Sequence, residues 1–169
     1  MIGRIPILDV QPVVSCGRWP AKAVVGETFE VSATVFREGH ETLGAGVRLY
    51  DPDGGKGPLI RMWEAAPSSD RYTADVTVTR EGDWGFQIEA WGDPIGHWRH
   101  DAAIKIPAGQ DIELMLEEGA RLHERAARVV PRESRPLLRD TVAALREETL
   151  PLDARLAAAM RDDVVALLH

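Results

Sequence analysis

At 169 residues the chain fits one large domain or two small ones, and its 44% hydrophobic content is that of a globular protein. The 20 Lys and Arg against 27 Asp and Glu give a net charge of −7, and acidic residues outnumber basic ones on both sides of Trp98, which excludes a basic surface that tracks nucleic-acid phosphates. A single cysteine, Cys16, excludes an intrachain disulfide and suits a reducing cytoplasm; no apolar run has the length of a signal-peptide core or a membrane span.

The ten aromatic residues (five Trp, three Phe, two Tyr) all fall at or before Trp98. This division marks two differently built parts. Residues 1–107 read as an antiparallel immunoglobulin-like β-sandwich of about seven short strands. Phe29, Val31, Ala33 and Val35 alternate with Glu30, Ser32 and Thr34, the period of a half-buried strand. Val47 and Leu49 continue it up to the turn DPDGG (51–55), and a short strand over 60–64 ends at the turn 67–70. Tyr72, Ala74, Val76 and Val78 alternate next. After the REGD turn (80–83), Trp84, Phe86, Ile88 and Ala90 alternate again, which predicts Trp84 in the core.

Residues 108–169 read as a helical, bundle-like region of about three helices, making the chain α+β. Asp111 is the expected N-cap of a helix carrying Ile112, Met115, Leu116, Gly119 and Leu122 near one face, ended by Pro131. A second helix starts near Ser134, tolerates Pro136 in its first turn and carries Leu138, Val142 and Leu145. Pro151 breaks it, and Asp153 is the expected cap of a third with Leu156, Met160, Val164 and Leu167 in a stripe. Three amphipathic helices need a further surface to cover them, which another helix, the sandwich or a second copy could supply. The last helix reaches His169 without a Gly or Asn cap, so continuation past that residue is expected.

Candidate chemistry is sparse. Trp91 and Trp98 bracket the loop GDPIG (92–96), where an exposed indole face can stack on a sugar ring, so these two are the candidate sugar contacts. His97 and His100 sit three apart, on opposite faces of an extended chain, and with His40 and His123 isolated no metal site is expected. Cys16 lacks an activating partner, no G-x-S-x-G elbow occurs, and the glycines at 44–46 and 54–57 lack phosphate-loop spacing. No catalytic residue and no cofactor are assigned.

Four runs carry a resemblance: GRIPILDVQPVV (3–14), GRWPAKAVVGETFEVSATVFREGH (17–40), DPIGHWRHDAAIKIPAG (93–109) and, less specifically, LMLEEGARLHERAA (114–127). Together they resemble the N-terminal region of the α-1,4-glucan:maltose-1-phosphate maltosyltransferases of the α-amylase superfamily. The resemblance implies an immunoglobulin-like domain and helices preceding a (β/α)8 catalytic barrel. It also implies a cytoplasmic enzyme that moves maltosyl units from maltose 1-phosphate to the non-reducing ends of α-1,4-glucans, using a carboxylate nucleophile and a carboxylic acid–base on the barrel. Such a barrel takes about 250 residues, which these 169 do not include, so the chain alone is expected to be inactive. The expected role is assembly: a homodimer, and a brace for the barrel of the same polypeptide. The alternatives are a glucan-binding module and a free-standing adaptor, with no nucleic-acid or membrane partner; an open reading frame ending at His169 would favour the adaptor.

Overall fold

The computed structural model describes residues 5–39 and 42–168, and the chain divides into two compact units, residues 1–92 and 93–169. The architecture is α+β. In the first unit β1 (Ile7–Gln11), β2 (Thr28–Val35), β3 (Leu43–Tyr50), β4 (Lys56–Glu64), β5 (Arg71–Thr77) and β6 (Gly85–Gly92) form one antiparallel sheet in the order β1-β2-β5-β4-β3-β6. Only two paired positions, Trp63 with Thr73 and Glu64 with Tyr72, join β4 to β5. Pairing is thus sparse between β1-β2-β5 and β4-β3-β6, while one cluster of buried residues draws on both.

That core follows the period of two read from the sequence. Val31, Ala33 and Val35 of β2, Ala45 and Val47 of β3, Met62 of β4 and Ala74 and Val76 of β5 are buried together, with Phe29, Leu49, Ile60, Phe86 and Ile88 packed against them. Pro58 is accommodated in β4 because the β3–β4 register shifts between Arg48 and Tyr50, and Pro needs such an irregularity. A bulge in β1 places Asp9 at φ 47°, and Arg71 fastens it, donating to the Asp9 carbonyl and carboxylate at 2.8 Å and to Ser32 Oγ at 2.6 Å. In the 51–55 turn the Asp51 carboxylate accepts from the amides of Asp53 and Gly55, so its pKa lies below the ordinary carboxylate value; Arg80 clamps Asp51 and Asp53. Trp84 is half-buried just before β6, outside the core cluster expected from its parity, with Nε1 donating to the Arg80 carbonyl at 3.0 Å.

The second unit contains α1 (Pro94–Lys105), α2 (Ile112–Ala126), α3 (Arg135–Arg146), α4 (Leu152–Met160) and α5 (Asp162–Leu168). Five helices thus stand among the described residues, against about three expected. α1 occupies the segment read as a loop. Asp93 caps it, accepting from the Gly96 amide at 2.8 Å, and Pro94 opens its first turn. Those two residues suit a helix start as well as a turn. The helix is decided by Trp98, Ala102 and Ile106, which repeat at four and bury one face. The compact second unit accordingly begins at Asp93, whereas the sequence boundary stood at 107. Asp111 does precede α2, but at φ 49° and without a side-chain cap bond. The expected third helix is two, because Arg161 is extended (ψ 141°) and its guanidinium pairs with Asp163, whose carboxylate accepts from the Val164 amide. Asp162 and Asp163 then favour a fresh N-terminus there.

The second core is centred on one residue. Trp98 is 2% exposed, its Nε1 donates to the Met115 carbonyl at 2.7 Å, and its ring meets that of His123 edge-on at 5.5 Å. A Cβ on Gly119 would lie 2.1 Å from the Trp98 ring, so only glycine lets the indole reach the α2 backbone. Met115, Leu116, Ala120, Leu122, Leu145 and Ala159 complete the cluster with Ala102 and Ile106. Arg155, 6% exposed, ties three helices together. Its guanidinium donates to both Glu113 oxygens of α2 (3.0 and 3.1 Å) and to the Leu145 carbonyl at the end of α3 (2.9 and 3.1 Å).

Candidate functional site

The two candidate glucan contacts from the sequence fall in different environments. Trp98 presents no face to a ligand, being buried in the helical core, because its segment is helical and the residue lies on the inner stripe. Trp91 ends β6 on the outer face of the sheet and is half-buried. It pairs with Gly44, and the adjoining Ala45–Met62 pair sets Trp63 of β4 on the other side of that glycine. The guanidinium of Arg61 lies 5.0 Å from the Trp91 ring and 5.8 Å from that of Trp63, within cation–π range of both.

Gly44 permits this arrangement. A Cβ there would stand 2.5 Å from Trp91 Nε1 and 2.8 Å from an Arg61 nitrogen. Two indoles flanking one strand lie about 10 Å apart at ordinary strand spacing. Trp63, 58% exposed, is the residue of this row that offers a flat apolar face to solvent. It was legible in the sequence: Ile60 and Met62 point inward, so Trp63 must point out.

Other candidates resolve into structural roles or remain apart. His97 and His100 lie on α1, where positions three apart share a face, instead of on the opposed faces of a strand. Among the described residues no group of three or more His, Cys, Asp and Glu side chains is placed to hold a metal. His40 lies outside the described residues. His123 is fully buried; its Nδ1–H donates to the Gly119 carbonyl at 2.7 Å, and burial holds its pKa below the ordinary imidazole value. Cys16 is exposed, at φ 54° in a 3-10 turn (Ser15–Gly17). Among the described residues no helix is long and apolar enough to cross a membrane.

The charged surface of the second unit is organised around Arg146. It donates to Glu117 at 2.8 and 3.1 Å and to Glu124 at 2.5 Å, while Arg121 reaches Glu117 at 2.8 Å from the same helix. These bonds to Arg146 and then Arg121 hold the Glu117 carboxyl down at about 2. An apolar groove of about 550 Å³, lined by Ile106, Pro107, Leu152, Leu156 and Met160, opens beside α4.

A family model for the α-1,4-glucan:maltose-1-phosphate maltosyltransferases, domain N/S, matches residues 3–169. The chain belongs to this family. As a domain N/S chain it is 59% identical over 169 residues to α-1,4-glucan:maltose-1-phosphate maltosyltransferase 1 of Streptomyces coelicolor and 56% identical over 168 residues to maltosyltransferase 2 of the same organism, each alignment covering 99% of the chain and 25% of the relative. The maltosyltransferase of Mycobacterium tuberculosis (strain CDC 1551 / Oshkosh) is 40% identical over 191 residues, covering 98% of the chain and 27% of the relative. This domain N/S chain thus spans about a quarter of the length of the curated relatives it matches.

Proposed function

We propose that this chain is the non-catalytic N-terminal region of a cytoplasmic maltosyltransferase. The parent enzyme transfers maltosyl units from maltose 1-phosphate to the non-reducing ends of α-1,4-glucans, and this region holds a homodimer together and braces the (β/α)8 catalytic domain of the same polypeptide. The observation that carries the reading is the match of domain N/S to residues 3–169, against relatives four times as long. On this reading the two halves of the sheet, β1-β2-β5 and β4-β3-β6, are the layers of an immunoglobulin-like sandwich, and the helices are part of a bundle. The apolar groove beside α4 supports a role in assembly, since Leu152, Leu156 and Met160 line it on one helix. Purified alone, the chain should release no phosphate from maltose 1-phosphate and should sediment as a dimer that Leu156→Glu dissociates without loss of helicity. Phosphate release overturns the first part; a monomer across the micromolar range overturns the second.

A second reading, in which the region tethers the enzyme to polymer, is favoured by one observation, the exposed indole of Trp63 beside Trp91. Glycogen incorporated into a native gel should then retard the chain, and Trp63→Ala or Trp91→Ala should restore its mobility. Mobility unchanged by glycogen rules this reading out.

A further inference from the structure

A groove of about 450 Å³ between α2 and α3 is lined by Glu124, Ala127, Arg128, Arg135, Arg139 and Val142. Three guanidiniums in one concavity are unexpected on a chain with a net charge of −7. Among the described residues none of the three has a carboxylate within ion-pair distance. Glu124, the one acid of the groove, is held by Arg146 at 2.5 Å. Arg135 is positioned by neutral acceptors instead: its Nε donates to the Val130 carbonyl and its Nη2 to the Arg128 carbonyl, both at 3.4 Å. Its Nη1 is left to donate elsewhere. Arg139 stands one turn further along α3, on the same face as Arg135, a like-charge pair that an isolated helix disfavours.

We propose that this groove binds a small phosphate-bearing anion. Planar guanidiniums with several N–H donors match phosphate oxygens two at a time, which a lysine cluster does not. Glu124 is the one carboxylate of the groove and acts on Arg128, so three guanidiniums leave the groove net positive, which an anion between Arg128 and Arg139 offsets. Ala127 and Val142 give the groove an apolar wall, which suits the carbon skeleton of a phosphate monoester, and the volume lies in the range of small-ligand sites. The site goes beyond the assembly reading and stands without it.

Calorimetric titration of the 169-residue chain with inorganic phosphate and, separately, with α-glucose 1-phosphate tests this at constant ionic strength set by sodium chloride. Saturable binding of either probe is expected, weakened at least tenfold by the double replacement Arg128→Ala/Arg139→Ala and kept by Arg125→Ala, which removes the same charge from an exposed position outside the groove. Binding of both probes assigns the site to the phosphate group itself, and binding of the ester alone assigns it to a phosphorylated metabolite. Binding of neither overturns the proposal, as does equal binding by the double variant or equal weakening by Arg125→Ala. If the double variant does not fold, Arg139→Gln carries the same reading, since that side chain is exposed and makes no ion pair among the described residues.

Discussion

The two units bury their cores by opposite means. The sheet unit interlocks many small side chains, Val31, Ala33, Val35, Ala45, Val47 and Val76, no one of which dominates. The helical unit is built around a single indole seated against a glycine, with Trp98 as the only aromatic residue beyond Gly92. Period-two burial spreads the loss from any one substitution over many neighbours, Phe29, Met62 and Phe86 among them. A large side chain set into a helix–helix contact concentrates it. The difference teaches that sensitivity to substitution follows the size of the anchoring side chain more than the extent of burial.

The sharpest way to break the comparison is Trp98→Ala, expected to cost about 3–5 kcal/mol of stability. Gly119→Ala should approach it, because its new methyl meets a ring that cannot move without losing the Met115 bond. Val47→Ala in the sheet should cost about 2 kcal/mol. Urea unfolding followed by helical ellipticity, with hydrogen exchange of the β2 and β3 amides alongside, separates these. Equal losses for Trp98→Ala and Val47→Ala would end the contrast. Next in size is Arg155→Met, which leaves the Leu145 carbonyl unsatisfied in a buried place and should cost about 1–3 kcal/mol in the same unfolding experiment.

The helical unit should also be the acid-sensitive one. His123 has a folded pKa held below the ordinary value of about 6.5 by burial, with the nearby Arg99 charge acting in the same direction. The unfolded imidazole takes up a proton first, so stability is full above about pH 6.5 and falls as the pH drops from there toward the folded pKa. His123→Phe should flatten that part of the pH profile; an unchanged slope would assign it elsewhere. The smallest effect belongs to Glu117. Its folded pKa of about 2 lies below the ordinary carboxylate value, so the contribution of the Arg146 network is present above about pH 4.5 and is lost as the pH falls toward 2. Glu117→Gln should lower the melting temperature slightly at pH 7, not at all near pH 2, and less at high salt, since the pair is solvent-screened.

Legibility in the sequence divides along the same line as the two cores. Strand alternation over 29–35, 72–78 and 86–90 sorted inner from outer residues correctly, since a period of two depends on no other part of the chain. Trp84 lies half-buried outside the sheet's core cluster, with its N–H on a turn carbonyl that no alternation pattern contains. The stripe of α2 was equally legible. The segment 93–105 was not, because Asp, Pro and Gly close together serve a turn and a helix start equally well. That ambiguity sent Trp98 to the candidate ligand surface instead of the core.

By itself the sequence determined the α+β composition, the faces of most strands and the family, because periodicity and residue type are local properties. Only the tertiary structure decided that Trp98 is an anchor and that one guanidinium, Arg61, lies against both Trp63 and Trp91. It alone decided that Arg155 ties three helices and that Arg128, Arg135 and Arg139 share one groove. Those facts join residues from separate elements, and their distances depend on how the elements pack.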